Sequence, residues 1–248
     1  PCGRCSEIYY FRGAEMPCDA ERLGQACIGI ECSCDRYVEI WNNVFMEFDR
    51  QPDGTLNPLP ARSIDTGMVP ERVTAVIQGK LSNYDTDIFT PILDAIGARA
   101  GRKYWASFDD PRDVSMRVIA DHIRAMTFLI NDGVNPSNEW RGYVLRKIMR
   151  RAMRHGKKLG FTQPVLHELV DVVVEEMGEA YPDLKANRET IVRVGRREEE
   201  RFDAVLTAGL PRLEEVPDRA AAGDQVVPGE EAFRLYDSLG VPYDFMDD

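Results

Sequence analysis

The 248-residue sequence predicts an α+β fold, in which a sheet-bearing first part is followed by an all-helical second part. Three observations carry this. Residues 36–50 alternate with a period of two and run into a turn, Gln51-Pro52-Asp53-Gly54, from which Thr55 to Leu59 would return as an antiparallel strand. From residue 112 onward the apolar residues recur instead at the 3.6-residue period of helices. The change falls at Phe108-Asp109-Asp110-Pro111, a boundary signal, so the expected domains are residues 1–110 and 111–248.

In chain order, residues 1–34 are rich in Gly and Cys and are expected to be mostly irregular. All six cysteines lie there, at Cys2, Cys5, Cys18, Cys27, Cys32 and Cys34. Such clustering, with no secretion signal, argues against a disulfide framework and for a reduced, cytoplasmic setting. Cys18, Cys27, Cys32 and Cys34 could close a tetrahedral zinc site through four thiolates. Two ligands one residue apart are geometrically awkward, so free cysteines are the favoured reading and zinc the alternative. In the strand that follows, Val38, Ile40, Asn42, Val44, Met46 and Phe48 are expected on one face, with Asn42 as its polar interruption. A buried amide needs partners, within the protein or on a ligand.

Asp65-Thr66-Gly67 is expected to end a strand, and Pro70 to start a helix bearing Glu71 and Arg72. A carboxylate in a cleft suits an ammonium group, a glycine leaves space beside it, and a helix-borne Arg suits a phosphate. An aspartic protease would need two such loops or a dimer, and there is one loop here. A further helix is expected around Ile88–Ile96, ended near Gly97.

In the second part, residues 112–132 read as a helix with Val118, Ile119, Ile123, Met126, Leu129 and Ile130 on one face and Gly133 at its end. His122 shares that face and reads as a packed core histidine. His155 and His167 have no metal-ligand spacing around them. Pro136-Ser137-Asn138-Glu139 opens the next helix, with Ser137 or Asn138 able to cap it. Val144, Leu145, Ile148, Ala152 and Leu159 would face a core. Between Arg141 and Lys158 stand Arg141, Arg146, Lys147, Arg150, Arg151, Arg154, Lys157 and Lys158, with no acidic residue. Lys147, Arg151, Arg154 and Lys158 line one face, as suits a phosphate backbone. Beyond it, Thr162-Gln163-Pro164 would cap a helix to about Met177, and another would run from about Asn187 to Leu210. Glu198, Glu199 and Glu200 read as a solvated face, residues 211–230 as a loop, and Glu230 to Leu239 as a short helix.

The net charge of −11 argues against general nucleic-acid coating but not against one basic site. No run of about 18 apolar residues is present, so no membrane partner is expected. A first residue of Pro rather than Met points to a fragment or a processed start.

Several long motifs carry a family resemblance. They are PSNEWRGYVLRKIMRRAMRHGKKLG, the preceding RVIADHIRAMTFLINDGV, CDRYVEIWNNVFMEFDR, LPARSIDTGM and FRLYDSLGVP. Together they resemble alanyl-tRNA synthetases, class II ligases that attach alanine to its tRNA. The resemblance implies that residues 1–110 are the carboxyl-terminal part of a class II antiparallel catalytic sheet, and residues 111–248 an all-helical tRNA-recognition domain. It implies that Asp65 binds the α-amino group of alanine, that Gly67 and Val44 shape the side-chain pocket, and that Asn42 lies close to the substrate. Arg72 would contact a phosphate of ATP, which such enzymes use with Mg²⁺. Asn138 and Asp237 would read the wobble G·U pair of the tRNA(Ala) acceptor stem, beside Arg141, Arg146, Lys147, Arg150, Arg151 and Arg154. Alanine, ATP and tRNA are thus the implied partners, and DNA is not.

The sequence departs from the family at five points. Arg4 replaces a Pro, Phe11 an Asp, Val69 a Gly, Pro70 a Leu and Trp140 a Gly. Adding a branched side chain where glycine is usual removes positive-φ freedom. The family's first two signature motifs would lie before Pro1, and its editing domain after Asp248. The chain alone is therefore expected not to aminoacylate. The alternative reading is a non-catalytic acceptor-stem binding module or a degenerate paralogue.

Overall fold

The structure, a computed structural model, describes residues 1–34, 36–221, 229, 230 and 233. The chain divides into two compact units, residues 1–90 and 91–248.

The first unit is built on a three-stranded antiparallel sheet in the order β1-β2-β3, with β1 at Cys2–Phe11, β2 at Tyr37–Arg50 and β3 at Leu56–Met68. The expected irregular start is corrected here. Ten of those residues form β1, and Cys5, Glu7 and Tyr9 point to one of its faces because strand side chains alternate. The β2–β3 turn closes through Gln51 N–H to Thr55 O (2.9 Å) and Asp53 Oδ1 accepting from Thr55 N–H (2.9 Å). β3 is far longer than expected and runs on through Asp65-Thr66-Gly67.

The single alternating face predicted for β2 is interrupted twice. Ile8 pairs with Trp41 but Tyr9 with Glu39, so Ile40 is an extra residue, a β-bulge. Gly3 pairs with Met46 and Cys2 with Phe48, which makes Glu47 a second one. Paired residues share a face, so the first bulge brings Glu39 onto the face of Asn42, and the second sends Phe48 away from Met46. Gly3 is needed at the second bulge. A Cβ there would meet the Phe45 carbonyl oxygen at 1.6 Å.

Between β1 and β2 the chain makes the one-turn helix α1 (Asp19–Arg22) and a 3-10 turn at Gly29–Glu31. After β3 comes α2 (Pro70–Ile77), with Pro at its first position.

In the second unit the described elements are helices. They are α3 (Thr90–Ala100), α4 (Pro111–Asn131), α5 (Trp140–Lys158), α6 (Leu166–Met177) and α7 (Pro182–Ala221). Gly101, at φ 62°, stops α3 rather than Gly97. Gly97 lies inside the helix, where a Cβ would strike the Arg102 carbonyl at 2.5 Å. α4 starts as expected, with Asp110 Oδ1 accepting from Arg112 N–H (2.7 Å) and Pro111 next. α4 packs on α5 and α7, and α6 on α7. Ile119, Ile123, Leu145, Met149, Leu169, Val173 and Ile191 are fully buried among them.

α7 corrects two expectations. It continues to Ala221, so residues 211–221 are helical rather than a loop, and Glu198 and Glu199 are buried (5% and 3% exposed) rather than solvated. The 222–228 stretch and most of the short helix expected from Glu230 to Leu239, including Asp237, lie outside the described residues.

Candidate functional site

The β2–β3 register sets Val44 opposite Asp65 and Asn42 opposite Gly67. Since i and i+2 share a face, these four residues form a quadrilateral on one side of the sheet. Glu7 and Cys5 extend it across β1, opposite Asn42 and Val44. Asn42 Nδ2 donates to Glu7 Oε1 (2.9 Å), and the Tyr9 hydroxyl donates to Glu7 Oε2 (2.6 Å), which raises the Tyr9 pKa. One carboxylate thus holds both the Asn42 amide and the Tyr9 phenol in place. Asp65 is exposed and has no cationic partner among the described residues. Gly67 has neither a positive φ nor any atom within 4 Å of where its Cβ would stand. The fold therefore gives no reason for glycine there, and the space beside Asp65 and Asn42 stays open.

Arg72, on the first turn of α2, donates Nη1 to the Glu39 carbonyl (2.8 Å) and lies 3.9 Å from the Glu39 carboxylate. The bulge at Ile40 is what brings Glu39 to this face. The other guanidinium donors of Arg72 are uncommitted among the described residues, which suits a two-pronged contact with phosphate. The substitutions at 69 and 70 cause no strain here. Val69 has φ −84°, and Pro70 takes the helix position that tolerates it.

A second cluster lies in the β1–β2 connection. The thiols of Cys18, Cys27, Cys32 and Cys34 converge, with all four sulfurs within 4.8 Å of one another. The one-residue spacing of Cys32 and Cys34 proves compatible with this. Cys32 is extended (φ −76°, ψ 144°), and the chain bends through residues 32–34 as both thiols enter the cluster.

In the second unit, α5 is amphipathic, but its inward face differs from the sequence expectation. Gly142, Leu145, Arg146, Met149, Ala152 and Gly156 are buried, while Val144 is exposed. Neither Ser137 nor Asn138 caps the helix; Glu139 occupies that position without a side-chain bond. Asn138 instead accepts a hydrogen bond at Oδ1 from Arg146 Nη1, which leaves its Nδ2 donors uncommitted among the described residues.

Arg146 and Arg150 turn inward on Glu198. Arg146 Nε lies 3.0 Å from Glu198 Oε1, without the alignment of a hydrogen bond, and Arg150 Nε donates to the same oxygen at 3.3 Å. Arg150 also lies 4.8 Å over the Phe202 ring, and its burial lowers its pKa. Arg141, Lys147 and Arg151 are exposed, together with Trp140, Tyr143 and Val144. Lys147 lies over the Tyr143 ring (5.7 Å). Arg154 is half-buried, and Lys157 pairs with Asp203 at 2.8 Å. The outer face thus interleaves cations with aromatic rings, a combination that suits nucleic acid.

Sequence reasoning missed Glu7, Glu39, Glu198 and Glu199. Glu199 caps α6 from 33 residues away in sequence, accepting from Val165 (2.9 Å), Leu166 (2.7 Å) and His167 (2.8 Å) backbone N–H groups and sitting 2.7 Å from His167 Nδ1. A charge run gives no local signal for such a role. His155 Nδ1 meets Ser115 Oγ at 3.0 Å, and burial pushes the imidazole down to about 4.

Residues 1–248 match the family model for tRNA synthetases class II (A). The chain belongs to this synthetase family. Among curated synthetases, it is 51% identical over 259 residues to the alanine–tRNA ligase of Anaeromyxobacter sp. (strain Fw109-5), covering 98% of the chain and 28% of that protein. It is 50% identical over 249 residues to that of Desulfosudis oleivorans, covering the whole chain and 28% of the relative. With the enzyme of Acidithiobacillus ferridurans the identity is 50% over 248 residues, again the whole chain and 27% of the relative. The chain therefore spans little more than a quarter of the length of these synthetases. Its mixed helices and antiparallel strands agree with the α+β class expected for this family. None of the described helices is long and apolar enough to cross a membrane.

Proposed function

We propose that this chain is a segment of an alanine–tRNA ligase, contributing part of the amino-acid and ATP site through residues 1–110 and an all-helical contact to the tRNA(Ala) acceptor stem through residues 111–248. The observation that carries the first half is the cross-strand quadrilateral of Asn42, Val44, Asp65 and Gly67. In the parent reaction, the alanine carboxylate attacks the α-phosphorus of ATP and pyrophosphate leaves. A ribose hydroxyl at the tRNA terminus then takes the alanyl group from the adenylate, and AMP leaves. Such chemistry depends on positioning and on stabilising phosphoryl charge.

In this reading Asp65 accepts the α-ammonium of alanine, and Asn42, held by Glu7, orients beside it. Val44 and the open space at Gly67 admit one methyl group. Arg72 meets a phosphate of ATP, whose Mg²⁺ offsets the remaining phosphate charge. Asn138, with its carbonyl occupied by Arg146, turns its amide donors to the acceptor stem, and the family resemblance gives Asp237 the same partner. Arg141, Lys147, Arg151 and Arg154 meet phosphates, while the inward Arg146 and Arg150 hold the recognition surface in shape.

The test is calorimetric titration of the chain with a non-hydrolysable alanyl-adenylate analogue. Asp65→Asn is expected to weaken binding by about tenfold or more, roughly 1.4 kcal/mol. Gly67→Ala should weaken the alanyl analogue more than the glycyl one. Equal binding by all three proteins would refute the assignment.

A further inference from the structure

We infer that Cys18, Cys27, Cys32 and Cys34 form a tetrahedral tetrathiolate zinc site that closes the connection between β1 and β2. The sulfur geometry carries it. Cys18 Sγ and Cys32 Sγ are 3.7 Å apart, as are Cys27 Sγ and Cys34 Sγ, and all four sulfurs lie within 4.8 Å of one another. A tetrahedron with zinc–sulfur bonds of about 2.3 Å has sulfur–sulfur edges of roughly 3.8 Å. A disulfide would hold its sulfurs at about 2 Å. Two edges are thus already at the coordination distance, and neither pair is at the bonding distance.

The surroundings leave the cluster unexplained without a metal. A thiol group buried in an apolar core needs no ligand, because cysteine packs as a small hydrophobe. Here only Cys18 is buried, and the other three are half-exposed. Between Arg12 and Arg36 the buried described residues are Met16 and Cys18, while Leu23, Ile28 and Ile30 face solvent. A connection with two single-turn helices and so little core needs a staple of another kind. One staple is visible at its base. Arg36 donates Nη1 and Nη2 to the two Glu21 carboxylate oxygens (2.6 and 2.8 Å) and Nε to the Met16 carbonyl (2.9 Å). The thiols supply the second. Soft sulfur donors in a tetrahedral set select zinc over the hard cations that oxygen ligands prefer. On binding, the metal replaces the thiol protons, which pass to solvent. The site holds the segment that leads into β2 and so fixes the start of the strand that bears Glu39, Asn42 and Val44.

The experiment measures metal in this chain, purified under thiol reductant with zinc and desalted. Mass spectrometry of the metal content is expected to find about one zinc per chain. Cys27→Ser and Cys34→Ser are expected to lose it, and Cys2→Ser and Cys5→Ser to keep it. A ligand variant that unfolds would lose zinc for a different reason, so the wild-type apo chain is also titrated with Co²⁺. Tetrathiolate cobalt bands that saturate at about one equivalent, and vanish when zinc is added, would support the site. The inference is overturned if the wild-type chain takes up no zinc and develops no such bands while its circular dichroism reports a folded chain. It is equally overturned if zinc survives Cys27→Ser and Cys34→Ser, if it is lost with Cys2→Ser, or if the bound metal is iron.

Discussion

Trp140 holds a backbone conformation that glycine adopts freely and tryptophan does not. Its φ is 51°, and its side chain is 88% exposed, so no burial offsets the strain. The family resemblance implies Gly at this position. Trp140→Gly should therefore raise stability by about 1 kcal/mol in urea unfolding; an unchanged or lower midpoint would contradict the reading. Gly3 is the reverse case. Its missing Cβ is demanded by the Phe45 carbonyl, and Gly3→Ala should cost about 2 kcal/mol or more and loosen the β1 pairing.

His155 sets a pH dependence. Its pKa is lowered to about 4 in the fold against 6.5 when free, chiefly by burial. As pH falls through that window, the unfolded chain takes up a proton that the folded chain refuses, so stability is lost from about pH 6.5 down to 4. His155→Gln should flatten this decline in thermal melts taken across that range.

At the scale of elements, the helical unit was largely legible and the sheet only in part. The α4 limits follow from Asp110, Pro111 and Gly133, all local signals. The β2–β3 turn follows from Pro52-Asp53-Gly54. The bulges at Ile40 and Glu47 do not, because a bulge is a property of two paired strands, and alternation in one strand cannot reveal it. Strand β1 was hidden for a similar reason. Its Cys and Gly residues have low strand preference, and pairing to β2 overrides that. The sequence points to Thr162-Gln163-Pro164 for the α6 start, but the capping carboxylate comes from α7. Glu199→Ala should free those N–H groups and cost roughly 3 kcal/mol, with exchange of the Leu166 and His167 amides accelerated first. Likewise, Glu198 is what the buried Arg146 and the half-buried Arg150 share. Glu198→Ala should cost about 3–5 kcal/mol.

For the whole molecule, the acidic total conceals an arranged surface. A chain of net charge −11 repels RNA at long range, so the proposed contact would have to be local and directed, and α5 presents the exposed Arg141, Lys147 and Arg151 beside Trp140 and Tyr143. The sequence identified the helix and its charge, yet could not separate the outward cations from Arg146 and Arg150. Helical spacing alone does not say which arc meets the core when both arcs carry arginines. The grouping of Asn42, Val44, Asp65 and Gly67 was implied only through family likeness, and their register not at all, because residues more than 20 apart meet through a turn whose register the residues themselves do not announce.

The most direct measurement is the affinity of this chain for a tRNA(Ala) acceptor hairpin against one whose G·U pair is changed to G·C, by fluorescence anisotropy at one fixed salt concentration. The G·U hairpin should bind at least about tenfold tighter, roughly 1.4 kcal/mol, and Asn138→Ala should erase the difference. Equal binding of both hairpins would contradict tRNA(Ala) recognition and reduce α5 to an electrostatic surface.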